Sequence, residues 1–153
     1  MWDRLHKQVA VECEQLNHLI EVHRPLLVQC ASTAPNDIEL SALAAMLHSF
    51  YTGVENIFKR VAVELDGALP RSEFWHRELL DAMSHPSTAR PTVISTPLRD
   101  RLREYLEFRH VFRQAYSFQL RWTKMLPLVL GCEETLQQLE IELDTFLQSG
   151  GRG

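Results

Sequence analysis

The sequence predicts an all-α protein: an up-and-down bundle of four long helices with a short extra helix in the connection between the second and third. Three observations carry this. Apolar residues recur at three-and-four spacing in four separate stretches. Helix-start and helix-stop residues punctuate those stretches. No window shows the apolar–polar alternation of a half-buried strand, and no internal repeat is visible.

The first helix is expected over residues 3 to about 29, with Leu5, Val9, Leu16, Leu19/Ile20 and Leu26/Leu27 on its apolar side. Pro25 is expected to kink its end or stop it near Arg24, since proline has no amide hydrogen to donate. Ser32 to Pro35 reads as a loop. Asn36 followed by Glu39 has capping-box spacing, with asparagine as the cap. Leu40, Leu43, Leu47, Phe50, Val54, Ile57, Val61 and Leu65 then define the second helix, and Gly67 suits the left-handed residue just past its end. About 30 residues at 1.5 Å each make it roughly 45 Å long.

Residues 68–95 form a connection holding Pro70, Pro86 and Pro91. A structureless loop of that length is unusual in a compact domain. Ser72 is placed to cap a short helix from Glu73 to Met83 that buries Phe74, Leu79 and Leu80. The third helix is expected from about Pro97 to Arg121, with Thr96 as cap. The fourth is expected from about Lys124 to Gln148, its stripe being Val129, Cys132, Leu136, Leu139, Leu143 and Phe146. Pro127 would fall in its first turn if Thr123 is the cap, and Gly131 weakens it slightly. One domain is expected over 1–148, with 149–153 a disordered tail.

Composition narrows the classes of function. The 153 residues carry a formal charge of −4, with a pI near 6.0. A protein that coats nucleic acid is usually basic, so global charge argues mildly against that role. Locally the balance reverses: between Arg99 and Arg121, six arginines against three acids leave +3. Such a patch suits phosphate contact; a solvated face of i,i+4 pairs explains it as well. The three cysteines, Cys13, Cys30 and Cys132, show no metal spacing. They read as small hydrophobes in a reducing cytosol. The first residues lack the apolar core of a signal peptide, and no run of 18 apolar residues is present, so a cytoplasmic protein with no membrane span is expected.

The third helix holds the chemistry. Leu102, Tyr105, Leu106, Arg109, Phe112, Arg113, Tyr116 and Leu120 share one side at 100° per residue. Arginines in an apolar stripe need either a carboxylate partner or a crevice that admits an anion. Glu55 and Glu64 of the second helix are the candidate partners. His110 and Gln114 are i,i+4 neighbours on a different face, and a histidine there is a candidate proton shuttle. Tyr116 reads as a core residue with a hydrogen-bonded hydroxyl, or as a modification site. Trp75-His76 reads as packing. Phe108, Val111, Ala115, Phe118 and Trp122 give the third helix a second apolar side, which suggests a subunit interface. Seven histidines with no HExxH or HxH make a metal site unexpected, and no cofactor is implied. No Gly-rich phosphate loop, GxSxG or Cys/His nucleophile pattern is present.

The stretch Tyr105-Leu-Glu-Phe-Arg109-His110-Val-Phe-Arg113-Gln114-Ala-Tyr116 resembles the signature helix of the HEPN superfamily in its HepT-like branch. That signature is an arginine, four to six residues, a histidine, one residue and a tyrosine, with a polar residue after the arginine. Arg109, His110 and Tyr116 match the arginine, its polar neighbour and the tyrosine. Leu47-His-Ser-Phe-Tyr51-Thr-Gly53-Val-Glu55 resembles the second helix of the family, and Trp75-His76-Arg-Glu-Leu-Leu and Arg90-Pro91 its connecting segment. The likeness implies a homodimer and a metal-independent ribonuclease toxin, with the cleft formed where two signature helices meet. It also implies RNA as substrate and a minimal nucleotidyltransferase antitoxin as partner, which in some pairs adenylylates the motif tyrosine, here Tyr116.

The sequence departs from the signature at one position: Gln114 stands where the catalytic histidine is expected. Glutamine does not titrate near neutral pH. His110 lies one turn earlier on the same face and is the candidate substitute, with Arg109 stabilising phosphate charge and Arg113 lining the site. On a straight helix Arg109 and Gln114 lie about 140° apart, so a long side chain or a second subunit is needed to bring them together. Three readings stay open: a ribonuclease acting weakly or through His110, a silent bundle that binds RNA or a nucleotidyltransferase, and a structural dimeric adapter.

Overall fold

Asn36 opens the second helix by reciprocal capping: its side chain accepts the Glu39 amide at 2.8 Å, and Glu39 Oε1 accepts the Asn36 amide at 2.9 Å. Two amides that would lack partners at a helix start are thereby satisfied. This is the first of several sequence signals that can be read directly in the computed structural model, which describes residues 1–112, 116 and 120–150.

The described residues are helical with no strand; one isolated bridge joins Ser87 and Arg90. The helices are α1 (Trp2–Cys30), α2 (Asp37–Val61), α3 (Trp75–Met83), α4 (Thr96–Phe112), α5 (Trp122–Leu130) and α6 (Cys132–Gly150). A π-helical turn, Ala62–Asp66, continues α2. Gly67 then takes φ +83°, the left-handed conformation that favours glycine.

The middle of the molecule is α2, which packs against α1, α3, α4 and α5. Its whole expected stripe is buried, and Ala44, Met46, Tyr51 and Phe58 on other sides are buried too. Burial on several sides explains why this helix holds polar groups that have partners instead of water. Gly53 lets α1 come close: a Cβ there would stand 2.6 Å from Leu16 Cδ2. Phe50 meets Tyr105 of α4 with ring centroids 5.0 Å apart. Trp2 of α1 meets Phe146 of α6 at 5.3 Å.

Several expected boundaries are corrected. Pro25 does not end α1, which continues to Cys30. The lost hydrogen bond is outweighed by Leu26 and Leu27, which pack on the core, and Arg24 pairs with Glu21 and with Glu133 of α6. The third helix is shorter than expected. It ends at Phe112 among the described residues, and Tyr116, Leu120 and Arg121 are non-helical. The expected fourth helix is two, divided at Gly131. The Leu128 carbonyl, which a continuous helix would give to the Cys132 amide, accepts the Tyr105 hydroxyl at 2.7 Å. Pro127 lies beyond the first turn of α5, because the cap is Arg121 and not Thr123. α6 reaches Gly150, so Ser149 and Gly150 are helical; 151–153 lie outside the described residues.

The long connection is ordered by one buried arginine. Arg90 donates to Asp66 Oδ2 through Nη2 at 2.9 Å and to the carbonyls of His85 and Pro91 at 2.9 and 3.1 Å. The Val93 and Ile94 amides both donate to the Met83 carbonyl. The short helix starts two residues later than expected. Phe74 precedes it and is 64% exposed, while Leu79 and Leu80 are buried as expected.

Asn36→Ala removes the side-chain acceptor of the Glu39 amide and leaves only the backbone half of the capping box. The expected loss of stability is about 0.5–2 kcal/mol, read as a lower midpoint in urea unfolding with an unchanged slope.

Candidate functional site: an arginine, a glutamate and a histidine at one cleft

Arg109 arrives in the core because it occupies an apolar position of α4, following Leu102, Tyr105 and Leu106, all buried. The side chain is only 3% exposed. A guanidinium so deeply placed requires a carboxylate, and Glu55 of α2 supplies it: Arg109 Nη2 donates to Glu55 Oε2 at 2.9 Å. Arg109 Nη1 reaches Thr52 Oγ1 at 3.4 Å, and the guanidinium carbon lies 4.9 Å from the centre of the Tyr51 ring. Burial, reinforced by Glu55, holds the Tyr51 phenol well above its ordinary pKa, with Arg109 opposing. Tyr51 is therefore a neutral ring beneath a cation, the arrangement that cation–π attraction favours.

The same carboxylate oxygen takes a second donor. His76 Nδ1, in the first turn of α3, is 2.7 Å from Glu55 Oε2 and 3.1 Å from Arg109 Nη2. Trp75 stacks on the His76 ring with centroids 3.7 Å apart, and the Lys59 ammonium lies 5.0 Å from the centre of the Trp75 ring. Three helices thus meet at Glu55.

This cluster opens on one side. A cleft of about 460 Å³ between α3 and α4 is lined by Phe74, His76, Arg77, Arg109, His110 and their neighbours. A larger cleft of about 580 Å³ follows the other apolar side of α4, with Phe108, Val111, Leu120, Met125 and Leu128 among its lining.

Of the sequence-derived candidates, Arg109 and His110 share the first cleft. Arg113 and Gln114 lie outside the described residues. Tyr116 is not a core residue: it is 71% exposed, because α4 does not extend to it among the described residues. Three arginines of the patch are paired. Arg103 donates to Asp81 at 2.6 Å, Arg99 pairs with Asp100 and Arg109 with Glu55. Sequence reasoning named Glu55 as a partner but read His76 as packing. The available signal was an acid at i+4 from Tyr51 inside a buried stripe, which demands donors from more than one neighbour.

The chain belongs to the HepT-like family. A family model described as HepT-like protein matches residues 42–149. That span runs from α2 into α6 and so contains the Glu55, His76 and Arg109 cluster. The family is the HepT-like branch of the HEPN superfamily. No curated protein and no solved structure matches the chain.

No group of acids, histidines and cysteines suited to a metal ion occurs among the described residues. No described helix is long and apolar enough to cross a membrane. Burial, helped by Glu140, Asp144 and Glu12, pushes the Cys13 thiol up to about 12, and burial with Glu133 does the same for Cys132. Neither is a thiolate at neutral pH, so neither is a nucleophile there.

Two outcomes are expected. Glu55→Ala strands the Arg109 charge in the core and should lower stability by about 3–5 kcal/mol in urea unfolding. Cys13 and Cys132 should resist a disulfide-exchange thiol reagent at pH 7 in the folded protein and react once it is unfolded.

Proposed function

We propose that this protein is the ribonuclease subunit of a toxin–antitoxin pair, a homodimeric helical bundle with a single domain over 1–148. It acts in the cytoplasm of a bacterium, without a metal or other cofactor, on RNA. Its partner in this reading is a minimal nucleotidyltransferase antitoxin, and the exposed Tyr116 is the residue such a partner would adenylylate. The observation that carries the reading is the placement of Arg109: the signature arginine is fixed at the back of a cleft that also holds His110. A preorganised guanidinium aimed where phosphate charge develops is worth more than a mobile one, because no reorganisation accompanies the reaction. Arg113 and Gln114 belong to the same signature and are assigned to lining and to hydrogen-bonding the substrate.

The dimer is supported by the second apolar side of α4, where Val111 is exposed and Phe108 is half-buried along the larger cleft. A silent bundle that binds RNA or a nucleotidyltransferase is the second reading. It is favoured by the near-complete burial of Arg109 and its pairing with Glu55.

The two separate in one assay. Purified protein incubated with single-stranded RNA and no divalent metal should yield fragments ending in 2′,3′-cyclic phosphate. Gln114→His should raise the rate, since a general acid–base group is worth about 10²–10⁴-fold. RNA left intact by the natural sequence but cut by Gln114→His establishes the silent reading. RNA left intact by both removes the ribonuclease assignment.

A further inference from the structure

His76 is better placed for proton transfer than any described residue of the signature helix. The chemistry of its partners fixes its tautomer. A carboxylate accepts hydrogen bonds and a guanidinium only donates them. At 2.7 Å from Glu55 Oε2, His76 Nδ1 must therefore carry the proton and donate it to Glu55. Arg109 Nη2 donates to the same oxygen, and the 3.1 Å approach of Nη2 to Nδ1 follows from two donors converging on one acceptor. The lone pair of the neutral ring is then on Nε2. Among the described residues Nε2 has no hydrogen-bond partner, and the side chain, 30% exposed, lines the cleft. A carboxylate that holds one nitrogen of an imidazole whose ring lines a cleft is the arrangement of an oriented general base. Trp75 stacked on the ring removes its remaining rotational freedom.

His110, exposed on α4, lines the same cleft. Phe74, 64% exposed, stands at its rim and offers a face on which a base can stack. We propose that His76 takes the proton from the ribose 2′-hydroxyl of an RNA strand bound in this cleft, and that His110 gives a proton to the leaving 5′-oxygen. The inference rests on the ribonuclease reading and assigns to α3 the proton acceptor that Gln114 is unable to be.

The step balances without an oxidant or metal. The 2′-hydroxyl proton passes to His76 Nε2 as the 2′-oxygen bonds to phosphorus. The bond from phosphorus to the 5′-oxygen breaks with its electron pair on oxygen, which takes the proton of the His110 imidazolium. The products are a 2′,3′-cyclic phosphate and a 5′-hydroxyl, and both imidazoles regain their starting states by exchange with water. Arg109, behind the cleft, faces the charge that develops on the phosphoryl oxygens.

Catalysis in this form needs neutral His76 and protonated His110, so the rate should be bell-shaped in pH. The groups that set the environment of His76 are Glu55 and, through Trp75, Lys59 from α2. From α4 they are Arg109, Glu107 and His110, and from its own segment Glu73 and Arg77, the last paired with Glu107 at 3.5 Å.

The deciding variant is His76→Asn, whose amide can still donate to Glu55 but has no basic nitrogen. Cleavage of a short mixed-sequence RNA should fall about 10²–10⁴-fold and lose the acid limb of its profile, with the unfolding midpoint nearly unchanged. His110→Asn should lose the alkaline limb instead. In the natural protein, the His76 imidazole followed by NMR should titrate with the midpoint of the acid limb, a measurement that stands even if His76→Asn does not fold. Cleavage unaltered by His76→Asn, a slower rate that keeps the acid limb, or an NMR midpoint elsewhere overturns this inference and leaves the ribonuclease reading intact. A natural protein that leaves RNA whole overturns both.

Discussion

One carboxylate oxygen joins three helices. Glu55 Oε2 accepts from Arg109 of α4 and from His76 of α3 while its own backbone lies in α2, the most enclosed element of the fold. Removing any partner leaves a buried polar group unsatisfied, so the three positions constrain each other as a network. A buried ion pair is weak evidence for stability by itself, since desolvation offsets most of the attraction. Here the pair does something else. It fixes the orientation of the imidazole at a cleft, which an apolar replacement of the same volume would not do.

The surrounding architecture keeps that orientation. Gly53 admits α1 close to α2 from one side, and Phe50 against Tyr105 sets the distance between α2 and α4 on another. Arg90 ties the long connection back to the end of α2, which fixes the chain on both sides of α3. The cluster is therefore held by packed helices, with a mobile loop needed at no point. That is the condition under which hydrogen-bonded groups can stay aimed at a reacting atom.

Features with a local cause are legible in the sequence. The Asn36–Glu39 capping box, the left-handed Gly67 and the buried stripe of α2 depend on a few neighbouring residues, and all are present. What failed depended on distant partners. Of the two outcomes expected at Pro25, a kink or a stop near Arg24, the stop does not occur: α1 continues to Cys30, with Leu26 and Leu27 packed on the core. The break at Gly131 accompanies a hydroxyl from another helix, Tyr105, taking a backbone carbonyl. Tyr116 was placed on a buried face by extending α4 past its described end, and it is exposed. The site divides the same way. Arg109 and its pairing with Glu55 were legible because an arginine in an apolar stripe announces a missing partner. His76 was not, because nothing about a Trp-His pair in a connecting segment says which buried acid it will meet.

The stack of Trp75 on His76 has an optical consequence. An imidazolium ring in van der Waals contact with an indole quenches its emission, whereas a neutral imidazole does so weakly. With Trp2 and Trp122 replaced by phenylalanine, the remaining indole would report the charge of its neighbour as brightness, in real time and without a label.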